Sequence, residues 1–188
     1  SAKNSDGYQR RFEVFFEYLE KDKIKYDILT VCDDNDFKKI ILGENRVQFK
    51  LYIRIYFKRI FQVLKARKYK SVFVQRCLFP YYPDQKNTHL EKLLRKLSTN
   101  ITYDFWDPVH LWNKELTFDT FNYADQICMD NKILYDYYSK FHKKSVMWPI
   151  AVDISKYTPK TNYKINKTVK LFFTGSPGTV KSNLEPLI

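Results

Sequence analysis

Short runs of β-branched and aromatic residues recur at 71–75, 101–105, 125–130 and 145–148, and a helix-length segment precedes each of the last three. Parallel neighbours need a crossover of a dozen or more residues, usually a helix, whereas antiparallel ones close through tight turns. The alternation therefore predicts an α/β chain with a Rossmann-like parallel sheet flanked by helices. In such sheets ligands bind outside the carboxyl ends of the strands. That rule singles out Ile101-Thr102-Tyr103-Asp104-Phe105-Trp106-Asp107-Pro108, a strand that delivers Asp104 and Asp107 to its end.

The remaining segments fit this frame. Residues 8–22 carry Phe12, Phe15, Phe16 and Leu19 at helical spacing, and Arg10 and Arg11 stand in the first turn. Cations there oppose the helix dipole, so they point either to a nearby anion or to solvated arginines at a helix start. An apolar run at 26–31 reads as a buried strand. Helical segments are expected at 84–96 with Leu90, Leu93, Leu94 and Leu97 near one face, at 119–123 and at 132–141. Arg76 and His110 fall close to strand ends.

The longest periodic segment, 46–68, winds as a helix. At about 100° per residue, Phe49, Tyr52, Ile53, Ile55, Tyr56, Ile60 and Val63 share one face. Arg46, Lys50, Arg54, Lys58, Lys65 and Lys68 share the other, with Phe57, Phe61 and Leu64 among them. Basic groups interleaved with aromatics suit an anionic membrane surface, with Arg54, Phe57, Lys58 and Phe61 as its contact residues; a partner interface or a packing loop could cover the same residues.

Lysine and arginine outnumber the acids to a net charge of +12, which favours polyanionic partners. Cys32, Cys77 and Cys128 are odd in number and widely spaced, a pattern that argues for a reducing compartment and against zinc. No window reaches the apolar length of a membrane span. A cytoplasmic protein is expected, with peripheral attachment to the inner face of the membrane.

Residues 154–167 are polar and read as a linker. Thr168-Val-Lys-Leu-Phe-Phe-Thr174 reads as a further strand closed by Gly175-Ser176-Pro177-Gly178, a turn at which backbone amides can approach a phosphate or sugar. The expected division is a Rossmann-like domain at 1–153, the linker, and the start of a second domain at 168–188.

The order of Asp6-Gly-Tyr-Gln-Arg-Arg11, Val74-Gln-Arg76 with Pro80, Tyr103-Asp-Phe-Trp-Asp107, Ala124-Asp125, Pro149 with Val152-Asp153, and Tyr157-Thr-Pro159 resembles the N-terminal half of a GT-B glycosyltransferase. The likeness is to the family 4 type of bacterial nucleotide-sugar enzymes, and its motifs span nearly the whole chain. It implies an acceptor domain at 1–153 that lacks its first strand, and a donor domain of which only the first strand and loop are present. It further implies transfer of a sugar from a nucleoside-diphosphate-sugar to a hydroxyl of a cell-envelope glycan or lipid-linked acceptor, the family's usual outcome being retention. No resident cofactor and no metal are expected, the donor being a substrate.

Carried over by residue, the resemblance matches Asp104 and Asp107 to the strand-end motif that faces the acceptor, which makes them the catalytic candidates, to orient the acceptor hydroxyl or accept its proton, with cleft-lining or strand-capping hydrogen bonds as the alternative. It matches Gly7, Arg10 and Arg11 to the loop and helix start beside the cleft, and Gly175, Ser176 and Pro177 to the donor loop; Tyr8, Arg76 and His110 join the acceptor-binding candidates by their position. The sequence departs from the pattern at Trp106, where relatives often have Asp, and at Cys77, where they often have Glu. A fragment of this kind is expected to be inactive alone. The alternative is a basic module that binds nucleic acid or a membrane surface without catalysis, although no RNP, KH or helix-turn-helix pattern is present.

Overall fold

The computed structural model describes Tyr8 and residues 11–36, 45–79, 87–98, 100–151 and 158, with the backbone alone for 45–48. Gly7, Arg10, the donor loop Gly175, Ser176 and Pro177, and the proposed strand at 168–174 lie outside the described residues, as does the linker apart from Thr158.

Four strands, β1 (Val72–Gln75), β2 (Ile101–Phe105), β3 (Gln126–Met129) and β4 (Ser145–Met147), form one parallel sheet in the order β1-β2-β3-β4. Helix α1 (Phe16–Lys21) follows a 3-10 turn at Glu13–Phe15, and α2 (Asn45–Lys65) runs into another at Ala66–Lys68. The crossovers carry α3 (His89–Leu97), α4 (Lys114–Phe121) after a 3-10 turn at Val109–Leu111, and α5 (Lys132–Tyr138). The chain is thus α/β and Rossmann-like in its sheet and flanking helices.

Strand side chains alternate between faces, and the alternation separates two environments. Val74, Tyr103, Phe105, Ile127 and Met129 join Leu90, Leu94, Val109, Phe121, Leu134 and Tyr138 in the main core, so α3, α4 and α5 cover that face. Phe73, Asp104 and Cys128 belong to the opposite face. There the N-terminal segment packs against the sheet, with Phe12 5.3 Å from Phe73 and Phe15 5.3 Å from Trp148 between ring centroids. A smaller cluster of Val31, Cys32, Leu51 and Ile55 seats α2.

Three sequence expectations change. Residues 26–31 form no strand; Arg59 Nη1 donates to Leu29 O at 3.2 Å and Gln62 Nε2 to Thr30 O at 2.9 Å. Side chains of α2 thereby satisfy carbonyls that a ladder would otherwise use. The helix expected at 119–123 starts earlier, at Lys114, because Asn113 caps it by accepting from Leu116 N at 3.1 Å. Phe49 and Ile53 lie on the exposed side of α2, at 72% and 43% exposure, because the buried stripe runs through Leu51, Ile55 and Val63.

Two asparagines define helix starts in the same way: Asn113 on α4, and Asn131 on α5, which accepts from Leu134 N at 2.9 Å. Each cap supplies an acceptor to an amide that the helix leaves unsatisfied. Asn113→Ala and Asn131→Ala should each lower unfolding free energy by about 1 kcal/mol, read as a shifted urea midpoint with unchanged slope.

Candidate functional site

The chain contains three tryptophans, and all three gather where the strands end. Trp106 follows β2, Trp112 follows the next 3-10 turn, and Trp148 follows β4. Each stacks with an arginine. Arg76 Cζ lies 5.1 Å from the Trp106 ring centroid and 5.3 Å from that of Trp112, and Arg11 Cζ lies 4.9 Å from that of Trp148. Two arginine-carboxylate pairs complete the arrangement, Arg11 with Asp104 and Arg76 with Asp107.

These two pairs occupy different environments. Asp104 is 0% exposed and Arg11 1%. Arg11 Nε donates to Asp104 Oδ2 at 3.0 Å and Nη2 donates to Oδ1, while Nη1 donates to Trp148 O at 2.6 Å. Burial pushes the Asp104 carboxyl up, and the hydrogen bonds and charge of Arg11 oppose it. The anion that the position of Arg11 called for is therefore Asp104 itself. Strand parity explains the pairing: Asp104 faces away from Tyr103 and Phe105, onto the sheet face covered by the N-terminal segment. Asp104 and Arg11 thus bind each other, and Arg11 also holds the carbonyl of Trp148.

The Arg76–Asp107 pair lies near the surface, with the side chains 33% and 28% exposed. Arg76 has φ 62°, in the left-handed region that non-glycine residues rarely enter. Its backbone N donates to Asp104 O at 2.9 Å, so β1 still pairs with β2 as the chain turns sharply. Strain of this kind persists where surrounding contacts over-determine it, and it clusters at binding sites. Asp107 lies beyond the strand, its own carbonyl accepting from Val109 N at 2.7 Å as the 3-10 turn begins. Trp112, 52% exposed, and Leu111, 72% exposed, extend the surface beside the pair.

His110 lies elsewhere. Its ring packs 4.7 Å from Tyr137 and 5.3 Å from Tyr138, and Nδ1 lies 2.7 Å from Tyr138 Oη. The Tyr138 hydroxyl also accepts from His110 N at 3.4 Å, so it meets both the backbone and the ring of His110. His110 thus closes the aromatic layer between α4 and α5 rather than lining the Arg76–Asp107 surface. Tyr8, 7% exposed, packs against Phe12 and Phe16.

Asp125, part of the Ala124-Asp125 motif, has a structural role. Its Oδ2 accepts from Ile101 N at 2.8 Å and from Arg95 Nη1 at 2.5 Å, tying the start of β2 to the end of α3. A shallow groove of about 960 Å³, lined by Phe118, Asp119, His142 and Lys143 among others, opens near the starts of β3 and β4 and is remote from both arginine pairs. Among the described residues, no group of three or more His, Cys, Asp or Glu side chains is placed to hold a metal, and no helix is long and apolar enough to cross a membrane.

The chain matches no family model, and no curated protein or solved structure is similar to it.

The sequence signal for this cluster was the placement of the tryptophans: each follows a strand-like run or its first turn. Trp112 is the residue that reasoning from acids and bases overlooks.

Asp104→Ala should cost about 3–5 kcal/mol, because it strands a buried guanidinium. The paired replacement Arg11→Met with Asp104→Leu should recover much of that loss in thermal unfolding. Burial, then the charge of Lys114, lowers the His110 pKa. A proton-detected histidine titration should place it below the ordinary value of about 6.5. The contribution of neutral His110 to stability is then present above about 6.5 and is lost as pH falls through the lowered value.

Proposed function

We propose that this chain forms the acceptor side of a glycosyltransferase cleft, serving transfer of a sugar from a nucleoside-diphosphate-sugar to a hydroxyl of a glycan or lipid-linked acceptor. The observation that carries the reading is the partly exposed Arg76–Asp107 pair set against Trp106 and Trp112 at the carboxyl ends of adjacent parallel strands. A sugar ring presents C–H faces that stack on an indole and a rim of hydroxyls that need directional partners. Trp112 supplies the exposed face. Asp107 Oδ2 accepts from Arg76, which leaves Oδ1 as the oxygen to accept from an acceptor hydroxyl.

Asp107 orients that hydroxyl for attack at the anomeric carbon of the donor, and Arg76 fixes the carboxylate so that little freedom is lost on binding. Trp106 stacks on the Arg76 guanidinium and steadies it against Asp107. By the resemblance, the diphosphate is held by the donor domain of such an enzyme. The resemblance to the family 4 enzymes points the same way. In this reading Asp107 serves the acceptor, and Asp104 holds the fold.

Titration of the chain with soluble oligosaccharides, followed by tryptophan emission, should give a saturable change. Trp112→Ala should weaken binding about tenfold, the weight of one aromatic contact. Asp107→Ala should weaken it by a similar factor or more while the far-ultraviolet circular dichroism stays the same. Absence of any saccharide response, combined with salt-steep binding to RNA, would move the chain to the nucleic-acid-binding class.

A further inference from the structure

Helix α2 carries two neighbouring ridges of different chemistry. Residues four apart line up along a helix surface. One such row is Phe49, Ile53, Phe57 and Phe61, at 72%, 43%, 55% and 64% exposure, with Leu64 at 44% beside its end. The adjoining row is Lys50, Arg54 and Lys58, all exposed, with Lys65 continuing the basic side toward the end of the helix. No acidic residue occurs anywhere from 46 to 70. The opposite side of the helix is anchored in the protein by Leu51, Ile55 and Val63.

Burial thus accounts for one side of α2 and leaves the aromatic and basic ridges unexplained. Four large apolar side chains at a regular spacing form a continuous exposed band. From Phe49 to Leu64 it is about 22 Å long at the usual rise per residue. Scattered exposed hydrophobics are ordinary in proteins, but a continuous band indicates an interaction surface. The occupant follows from charge. A flat anionic surface with an apolar layer just beneath it satisfies both ridges at once, because the aromatics enter the acyl boundary while the cations remain among the headgroups. The exposed guanidinium of Arg54 pairs with Asp36, so the strongest unshared charge on the row is at Lys50 and Lys58.

We propose that α2 lies flat on an anionic lipid bilayer, with Phe49, Ile53, Phe57 and Phe61 inserted at the headgroup boundary and Lys50, Arg54 and Lys58 against the lipid phosphates. The sequence marked Arg54, Phe57, Lys58 and Phe61 as membrane contacts. The structure adds Phe49, Ile53 and Lys50 and supplies the geometry of two parallel ridges. This inference does not depend on saccharide binding.

The test is vesicle co-sedimentation of the whole chain with phosphatidylcholine alone and with phosphatidylcholine containing about one third phosphatidylglycerol. The unmodified chain should pellet with the anionic vesicles, stay in solution with the neutral ones, and be released as salt is raised over the range in which surface charges are screened. The triple variant Lys50→Gln, Arg54→Gln, Lys58→Gln should lower partitioning on the order of a hundredfold, near fivefold for each cation. Phe57→Ser with Phe61→Ser should lower it at least tenfold with no change in circular dichroism, since neither side chain is buried. Equal binding to neutral vesicles, or no binding to either kind, would overturn the proposal. A salt-insensitive dimer that Phe57→Ser with Phe61→Ser converts to monomer would also overturn it, by showing that a second copy covers the band.

Discussion

A carboxylate in the middle of a parallel sheet is an expensive residue, and the rest of this structure is arranged so that Asp104 is never alone. Its position on β2 places it on the face away from α3, α4 and α5, where water would have to reach it or a cation would have to cover it. Arg11 covers it with two donated hydrogen bonds and uses its third nitrogen to bind the carbonyl that follows β4. One side chain therefore links the N-terminal segment, the centre of the sheet and its β4 edge. The aromatic contacts of Phe12 with Phe73 and of Phe15 with Trp148 lie around this clamp. Such a pair adds little net stability compared with a well-packed apolar substitute, but breaking it leaves a buried charge, so it constrains which segment can occupy that face.

Beyond the clamp lies a second, more exposed pair. With Asp104 committed to Arg11, the chain leaves β2 and reaches Asp107 on the far side of Trp106, where a second arginine meets it near solvent. Arg76 holds a left-handed backbone conformation to do this, bonded to Asp104 through its amide and to Asp107 through its guanidinium. The two acids three residues apart thus divide the work. One is enclosed and structural, and the other is accessible and flanked by indoles.

Helix α2 has a similar division between its two sides. It meets the protein through a narrow stripe and satisfies the carbonyls of Leu29 and Thr30 with Arg59 and Gln62, so a segment with the composition of a strand rests against it outside the sheet. Burial lowers the pKa of Arg59, whose hydrogen bonds go to a carbonyl and an amide instead of a carboxylate. Among the described residues, the cations that remain exposed on α2 are those beside the aromatic ridge.

The alternation of strand-like and helical segments was enough to determine an α/β chain with a parallel sheet, because parallel neighbours require helix-length crossovers. The four strands at 71–75, 101–105, 125–130 and 145–148 appear within a residue or two of those bounds. The spacing also placed Arg76 and Asp107 at strand ends. Only the tertiary structure decided which partners those residues take. Strand parity sent Asp104 to the covered face, and a contact 93 residues away in sequence matched it to Arg11. Residues 26–31 have the composition of a strand, yet whether such a run joins a sheet depends on a neighbour that local sequence does not specify. Phe49 and Ile53 sit at the margin of a helical apolar arc, and the packing of α2 against α3 and residues 31–32 turned them outward. Local pattern fixes secondary structure through backbone geometry and burial periodicity, whereas the pairing of charges and the exposed edge of a helix are set by contacts distant in the chain.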